Sequence, residues 1–312
     1  MIVLHTSDWH LGRQLFGKKR EAEFDAFLNW LLQTLDEQRV DVLLVAGDVF
    51  DSSVPGHRAQ SQYYRFLCRL AGTHCRHVVV IAGNHDSPSF IDAPKELLHA
   101  LDVHVIGEAR SNPADEVVVL NDPSGAPEAI VCAVPYLRDR DLRTVEADES
   151  LSDKDDKLRA GVRQHYDSVA EQAVRLRAEL GGHIPIIGMG HLFAAGGQVT
   201  EGDGVRDLYV GNLGHIHASH FPTQFDYLAL GHLHGAQRVG GTEHIRYSGA
   251  PLAMGFNESQ HNKVVLLVEF SGREMQIQPL NVPIFQPLEC VRGDWPDIAA
   301  RLQHLKQSAK PI

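Results

Sequence analysis

Five short stretches of this chain follow one plan: an apolar run gives way, most often through a single glycine, to aspartate, asparagine or histidine. In VVVIAGNHD, Val78 to Asp86, the run ends at Gly83 and is followed by Asn84, His85 and Asp86. The others are MIVLHTSDWH from Met1, VLLVAGD ending at Asp48, IIGMGH ending at His191 and YLALGHLH ending at His234. Together they set out Asp8, His10, Asp48, Asn84, His191, His232 and His234 as oxygen and nitrogen donors. Glycine directly precedes Asp48, Asn84, His191 and His232, and a residue without Cβ lets the chain turn sharply and approach an ion closely. Asp8 and His10 are two apart, as are His232 and His234, so in extended backbone each pair faces one way.

These donors are too many for one ion, whereas two five- or six-coordinate sites sharing a carboxylate use them well, with water and substrate completing each shell. A mixed Asp, Asn and His set without thiolate suits manganese, iron or zinc better than calcium or a structural zinc. Two ions about 3.5–4 Å apart activate water at neutral pH and stabilise the charge that builds as it attacks phosphorus in line. Phosphoester hydrolysis is the expected chemistry. Asp86 reads as a partner that orients a neighbouring histidine, or equally as the N-cap of the helix that follows. His5 and His104 fall outside the pattern and read as structural. Gly214-His215-Ile216-His217 repeats the G-H-x-H wording earlier in the chain. No uninterrupted apolar run leads into it, as residues 227–230 lead into Gly231, so His215 and His217 are expected on a surface loop.

The elements that must position these residues are legible as periodicities. Phe24, Phe27, Leu28, Leu31, Leu32 and Leu35 recur at helical spacing over residues 21–38, and Tyr63, Phe66, Leu67 and Leu70 do so over 58–70. Residues 41–46 and 78–82 read as strands covered on both faces, with a further helix over 89–101. Strand and helix in alternation imply parallel pairing with right-handed crossovers. Strands are expected at 116–120, 129–134, 184–189 and 227–230, a long helix at 155–180 ended by Gly181-Gly182, and a β-rich finish at 244–248, 263–270 and 275–280. The fold class is α/β, layered, with β-sheets flanked by helices. Residues 1–282 form the main domain, and 283–312, a short strand and a helix over 296–307, open a small α+β capping domain that is cut short. On the helices over 58–70 and 89–101, Tyr63, Tyr64, Phe66, Leu67 and Phe90 exceed what one sheet contact requires. A homodimer packed through Tyr63, Phe66, Leu67 and Phe90 is therefore expected.

Composition sets the outer limits. With 312 residues and 43% hydrophobic content the chain can bury a large core. No apolar run approaches the ~18–20 residues that span a bilayer, and His5 and Asp8 interrupt the first run, which points to a cytoplasmic location without membrane attachment. Cys68, Cys75, Cys132 and Cys290 are scattered without C-x-x-C pairs, so neither a disulfide framework nor a zinc knuckle is indicated. A net charge of −11 argues against bulk electrostatic capture of nucleic acid. It leaves room for a metal-dependent site, where bound cations reverse the local sign, and for local contacts from Lys18-Lys19-Arg20.

D-x-H at Asp8 and His10, G-D at Asp48, G-N-H-D from Gly83 to Asp86, G-H at His191 and G-H-x-H from His232 to His234 occur in that order. In this the chain resembles the calcineurin-like metallophosphoesterase superfamily. The fuller wording HTSDWHLG, VAGDVFD, AGNHDS, VRDLYVG and LALGHLH is similar to its branch of bacterial nucleases that process DNA double-strand breaks beside an SMC-like ATPase. The resemblance implies that Asp8, His10, Asp48 and His234 hold one metal ion and Asp48, Asn84, His191 and His232 a second, Mn²⁺ above Fe²⁺ or Zn²⁺, with Asp48 as the bridge. It implies that His85 contacts the scissile phosphate, that the substrate is DNA, cut at ends and hairpins, and that two chains pair through a four-helix bundle. In that branch the partner-binding helices follow the capping domain, so this chain is expected to lack them. Serine/threonine phosphatases of the superfamily continue G-D-x-x-D into R-G, and here Asp51 is followed by Ser52-Ser53. A phosphatase or small-molecule phosphodiesterase is the second reading, and a non-catalytic scaffold is disfavoured because no donor is missing.

Overall fold

The computed structural model describes residues 1–93, 95–142, 150–194 and 216–308. Strand β1 (Ile2–Thr6) leads through the first motif into helix α1 (Glu21–Glu37), followed by β2 (Val42–Ala46), α2 (His57–Leu70), β3 (His77–Ile81) and β4 (Val103–Ile106). Next come β5 (Val117–Asn121), β6 (Pro127–Ala133), the long α3 (Leu151–Glu179), β7 (Ile186–His191) and β8 (Tyr227–Gly231). Short β9 (Gln237–Arg238) and β10 (Ile245–Tyr247) precede a hairpin of β11 (Val264–Ser271) and β12 (Glu274–Asn281), and α4 (Trp295–Ser308) closes the described chain. One sheet has the order β12-β11-β1-β2-β3-β4 and the other β9-β10-β8-β7-β6-β5. Neighbours among β1 to β4 are parallel, as are β6, β7, β8 and β10, while β11 runs antiparallel to β1.

The sheets pack face to face. Val3, Val42, Leu44, Ala46, Val79 and Ile81 of the first meet Val131, Ala133, Ile187, Met189, Tyr227 and Ala229 of the second in one buried cluster, as strands apolar on both faces require. Outside the first sheet lie α1 and α2, and outside the second lies α3. His5 spans the seam, its Nδ1 2.8 Å from the Tyr227 hydroxyl, and burial pushes its pKa down to about 3. His104 sits in β4 beside His99, 5.3 Å between ring centres.

Several expectations change. The helix over 89–101 resolves into two short ones, Pro88–Asp92 and Lys95–His99. α3 starts four residues earlier than expected, because Ser150 and Asp153 form a reciprocal capping box, and Gly181 and Gly182 at φ 95° and 82° end it. No strand forms among residues 283–294; that stretch, with Pro283 and Pro287, is irregular up to α4. All four cysteines are free, Cys75 and Cys132 buried and Cys68 and Cys290 exposed.

The largest correction concerns the dimer face. Tyr63, Phe66 and Leu67 lie in the chain's own core at 1–2% exposure, on one stripe of α2 with Ala59, Gln62 and Leu70. They are covered from within. Trp9 stands edge-on to Phe66 and Phe27, at 5.4 and 5.9 Å, and Phe50 to Tyr63 and half-buried Phe90, at 5.3 and 5.6 Å. The apparent surplus of aromatic surface on α2 is the socket for two side chains from the motif loops.

Candidate metal centre

The carboxyl ends of β1, β2 and β3 in one sheet and of β7 and β8 in the other open on the same edge of the sandwich, the usual place for a site in such sheets. The loops are stitched together by main-chain bonds: the Asp8 and His10 amides donate to the Gly47 and Asp48 carbonyls at 3.0 Å. Asp8, His10, Asp48 and His232 all have positive φ, at 54°, 48°, 51° and 105°. Non-glycine residues held there cost of order 1–3 kcal/mol each and cluster where function over-determines the backbone.

The seven expected donors converge, in two groups that share one oxygen. His10 Nε2 and His234 Nε2 face each other at 3.2 Å, and one donor atom each of Asp8, His10 and His234 lies within 4.8 Å of the others. On the other side, Asn84 Oδ1 stands 3.0 Å from His191 Nε2 and 3.1 Å from His232 Nδ1. Asp48 Oδ2 lies between the groups, 3.6 Å from His10 Nε2 and 3.4 Å from His191 Nε2. Its other oxygen accepts the His85 amide at 2.9 Å. Asp8, in turn, receives the His232 amide on both oxygens at 3.0 and 3.1 Å.

Protonation follows from this crowding. Burial opposes ionisation of Asp48, but the imidazoles of His191, His10 and His85 hold its carboxyl well below the ordinary range. His191 is the counterpart: burial works against its charge, and the Asp48 carboxylate overrides burial and pushes its pKa up to about 9. Its Nδ1–H donates to the Ala46 carbonyl at 2.9 Å, which leaves Nε2 facing Asp48 Oδ2 at 3.4 Å and Asn84 Oδ1 at 3.0 Å. Burial and the neighbouring His191 charge push His232 down to about 3, and burial lowers His10. The donor set fits a pair of divalent cations. Its atoms are oxygens and imidazole nitrogens alone, both sides contain carboxylate, and buried Asp48 Oδ2 stands within 3.6 Å of an imidazole nitrogen on each side.

His85 is 7% exposed with its ring centre 4.8 Å from that of His10. Its Nδ1–H donates to the Asp51 carbonyl at 2.9 Å. Asp86 serves neither expected role: its carboxylate accepts the Gly83, Phe50 and Val49 amides at 2.8, 2.9 and 3.2 Å, tying two motif loops together. The N-cap of the next helix is Ser87, which accepts from Phe90. Burial and the nearby Asp48 charge push the Asp86 pKa up to about 6, against those three amides. The expected loop residue His217 begins a 3-10 turn, its amide 3.1 Å from His220 Nδ1; His215 and the VRDLYVG segment lie outside the described residues.

Residues the motif reading passes over surround these. Asp51 Oδ1 lies 3.3 Å from His10 Nδ1 and 3.1 Å from Arg13 Nη1. Ser7 donates to Asp8 Oδ2 at 2.5 Å and sits 2.9 Å from the Ser248 hydroxyl. Glu258, 2% exposed, lies 3.7 Å from His234 Nδ1 and pairs with Lys263. Burial opposes its charge, yet His234 and Lys263 hold its pKa down at about 2. Asp51 is signalled by the D-x-x-D spacing from Asp48. Nothing in the sequence links Glu258 to His234.

Comparison with known proteins agrees with this architecture. Residues 1–236 match the family model described as calcineurin-like phosphoesterase. The SbcD component of the SbcCD nuclease of Escherichia coli K12 is 41% identical over 304 residues, covering 97% of this chain and 74% of that protein. Proteins of the same name from Rhodobacter capsulatus and Bacillus subtilis are each 33% identical, covering 100% and 92% of this chain and 77% and 71% of theirs.

Proposed function

The chain belongs to the calcineurin-like phosphoesterases, within them to the SbcD nucleases, and on that premise we propose that it cuts DNA phosphodiester bonds with two Mn²⁺ ions bound at the seam. The observation that carries this reading is Asp48 Oδ2 lying between two donor groups. When bound, the ions supply an activated water and offset the charge that develops at phosphorus. Asp8, His10, Asp48 and His234 hold one ion, and Asp48, Asn84, His191 and His232 the other. His85, its Nδ1–H committed to the Asp51 carbonyl, directs Nε2 at the phosphate; protonated there, it donates to the departing oxygen, a contribution of about 10²–10⁴ in rate for a well-placed general acid.

The proposed substrates are DNA ends and hairpins, cut exonucleolytically and endonucleolytically. The proposed companion is an SMC-like ATPase, SbcC, in keeping with the relatives' names as parts of a larger nuclease. Purified chain with Mn²⁺ should cleave a labelled DNA hairpin, and Asp48→Ala should abolish cleavage and weaken both ion sites without unfolding the apolar strand behind it. Retention of half the activity would remove Asp48 from the bridge. Hydrolysis of a nucleotide monoester with DNA left intact would replace the nuclease reading with that of a phosphatase.

A further inference from the structure

The 3-10 turn Phe256–Glu258 brings a buried carboxylate beneath His234. Glu258 Oε2 is anchored twice, on the Lys263 ammonium and on the Met254 amide at 3.2 Å. Lys263 also donates to the His234 carbonyl at 3.2 Å, which receives the Ala250 amide at 3.1 Å as well. Oε1 is different: it is buried and makes no hydrogen bond among the described residues, 3.7 Å from His234 Nδ1. A buried carboxylate oxygen without a donor is costly, and a slight turn of the imidazole supplies one. Across the same ring, Nε2 faces His10 Nε2 at 3.2 Å.

We propose that Glu258 is a positioning residue: fixed by Lys263, it accepts a hydrogen bond from His234 Nδ1–H, sets the ring's tautomer and angle, and leaves the Nε2 lone pair for the ion shared with His10. This rests on the reading of His234 as a metal ligand. A carboxylate behind a ligating histidine raises its basicity and fixes its orientation, and losing one typically costs about 10- to 100-fold in metal affinity. Lys263 adds a second constraint by holding the main chain of the same residue, so ring and backbone of His234 are tied to one ion pair.

The test is a Mn²⁺ titration of the full chain by calorimetry, together with ¹H–¹⁵N spectra of the histidine rings in the metal-free protein. The expected result for Glu258→Ala is a loss of about 10- to 100-fold in the affinity of one ion, with the other unchanged. The His234 signal, identified by its absence in His234→Ala, should report Nδ1–H in the unaltered chain and shift toward Nε2–H in Glu258→Ala. Glu258→Gln, whose amide oxygen still accepts from Nδ1–H, should recover part of both, and it decides the matter if Glu258→Ala does not fold. Unchanged affinity and an unchanged tautomer in these variants would overturn the proposal while leaving the two-ion reading in place. Two ions bound at full affinity by His234→Ala would instead overturn the ligand assignment beneath it.

Discussion

At the scale of single residues, the site divides labour between side chains that face the donors' centre and side chains that aim them. His85 belongs to the first kind by position and is separable from the ligands by experiment. Its Nδ1 is spent on a main-chain carbonyl, so replacing the ring should leave the ion-holding set intact. His85→Gln is expected to lower DNA cleavage by two to four orders of magnitude, about the worth of one general acid, while calorimetry still counts two Mn²⁺ ions. Loss of an ion would make His85 a ligand instead. Asp86 belongs to the second kind, and it shows where the residue-level reading stops. The G-N-H-D wording marks the position as significant, but which partner the carboxylate takes depends on β2 and β3 lying side by side, so that Val49, Phe50 and Gly83 point their amides at one spot.

At the scale of elements, the strands were the most legible part of the sequence, because parallel strands buried on both faces must be apolar throughout and must end where polar residues begin. Helix α1 was equally legible from its stripe of phenylalanines and leucines. What periodicity cannot show is which element fills a given socket. The aromatic stripe of α2 reads the same whether its cover is another chain or Trp9 and Phe50, and only the tertiary arrangement decides. The glycines before the ligands carry a related lesson. Two of them make room for contacts between the sheets: a Cβ on Gly231 would stand 1.8 Å from the Ala46 carbonyl oxygen, and one on Gly47 2.3 Å from His191 Nδ1. Gly231→Ala must therefore push β8 away from β2, a strain of about 1–3 kcal/mol by comparison with other overpacked cores. It should lower both Tm and Mn²⁺ affinity, whereas Gly72→Ala, with only a 3.5 Å contact at Arg69, should change neither. Equal behaviour of the two variants in melting and titration would refute the close approach as the reason for glycine there.

At the scale of the whole molecule, the donors come from both sheets: Asp8, His10, Asp48 and Asn84 follow strands of one, and His191, His232 and His234 belong to or follow strands of the other. Ions held there bind only the assembled sandwich and must stabilise it, by about 2.7 kcal/mol at a hundredfold excess over Kd. Scanning calorimetry should show Tm rising with Mn²⁺ and falling with chelator, and a melt indifferent to both would contradict a site at the seam. For pairing of two chains we expect any contact on this side to use half-buried Tyr64 and Phe90 with Leu97, 67% exposed, since Tyr63, Phe66 and Leu67 are taken. Sedimentation at micromolar concentration should show a dimer that Leu97→Glu weakens and a Tyr64→Ala exchange weakens further; a monomer throughout would end that expectation. The chain order adds a consequence of a different kind. β11 and β12, late in the described chain, pair beside β1 at its start, and His232 and His234 are made long after Asp8 and His10. During synthesis the early ligands leave the ribosome without their partners, and no product that stops short of His234 holds a complete set. If the proposed ligand set is right, the nuclease is expected to stay inactive until the strands that present His191, His232 and His234 are made.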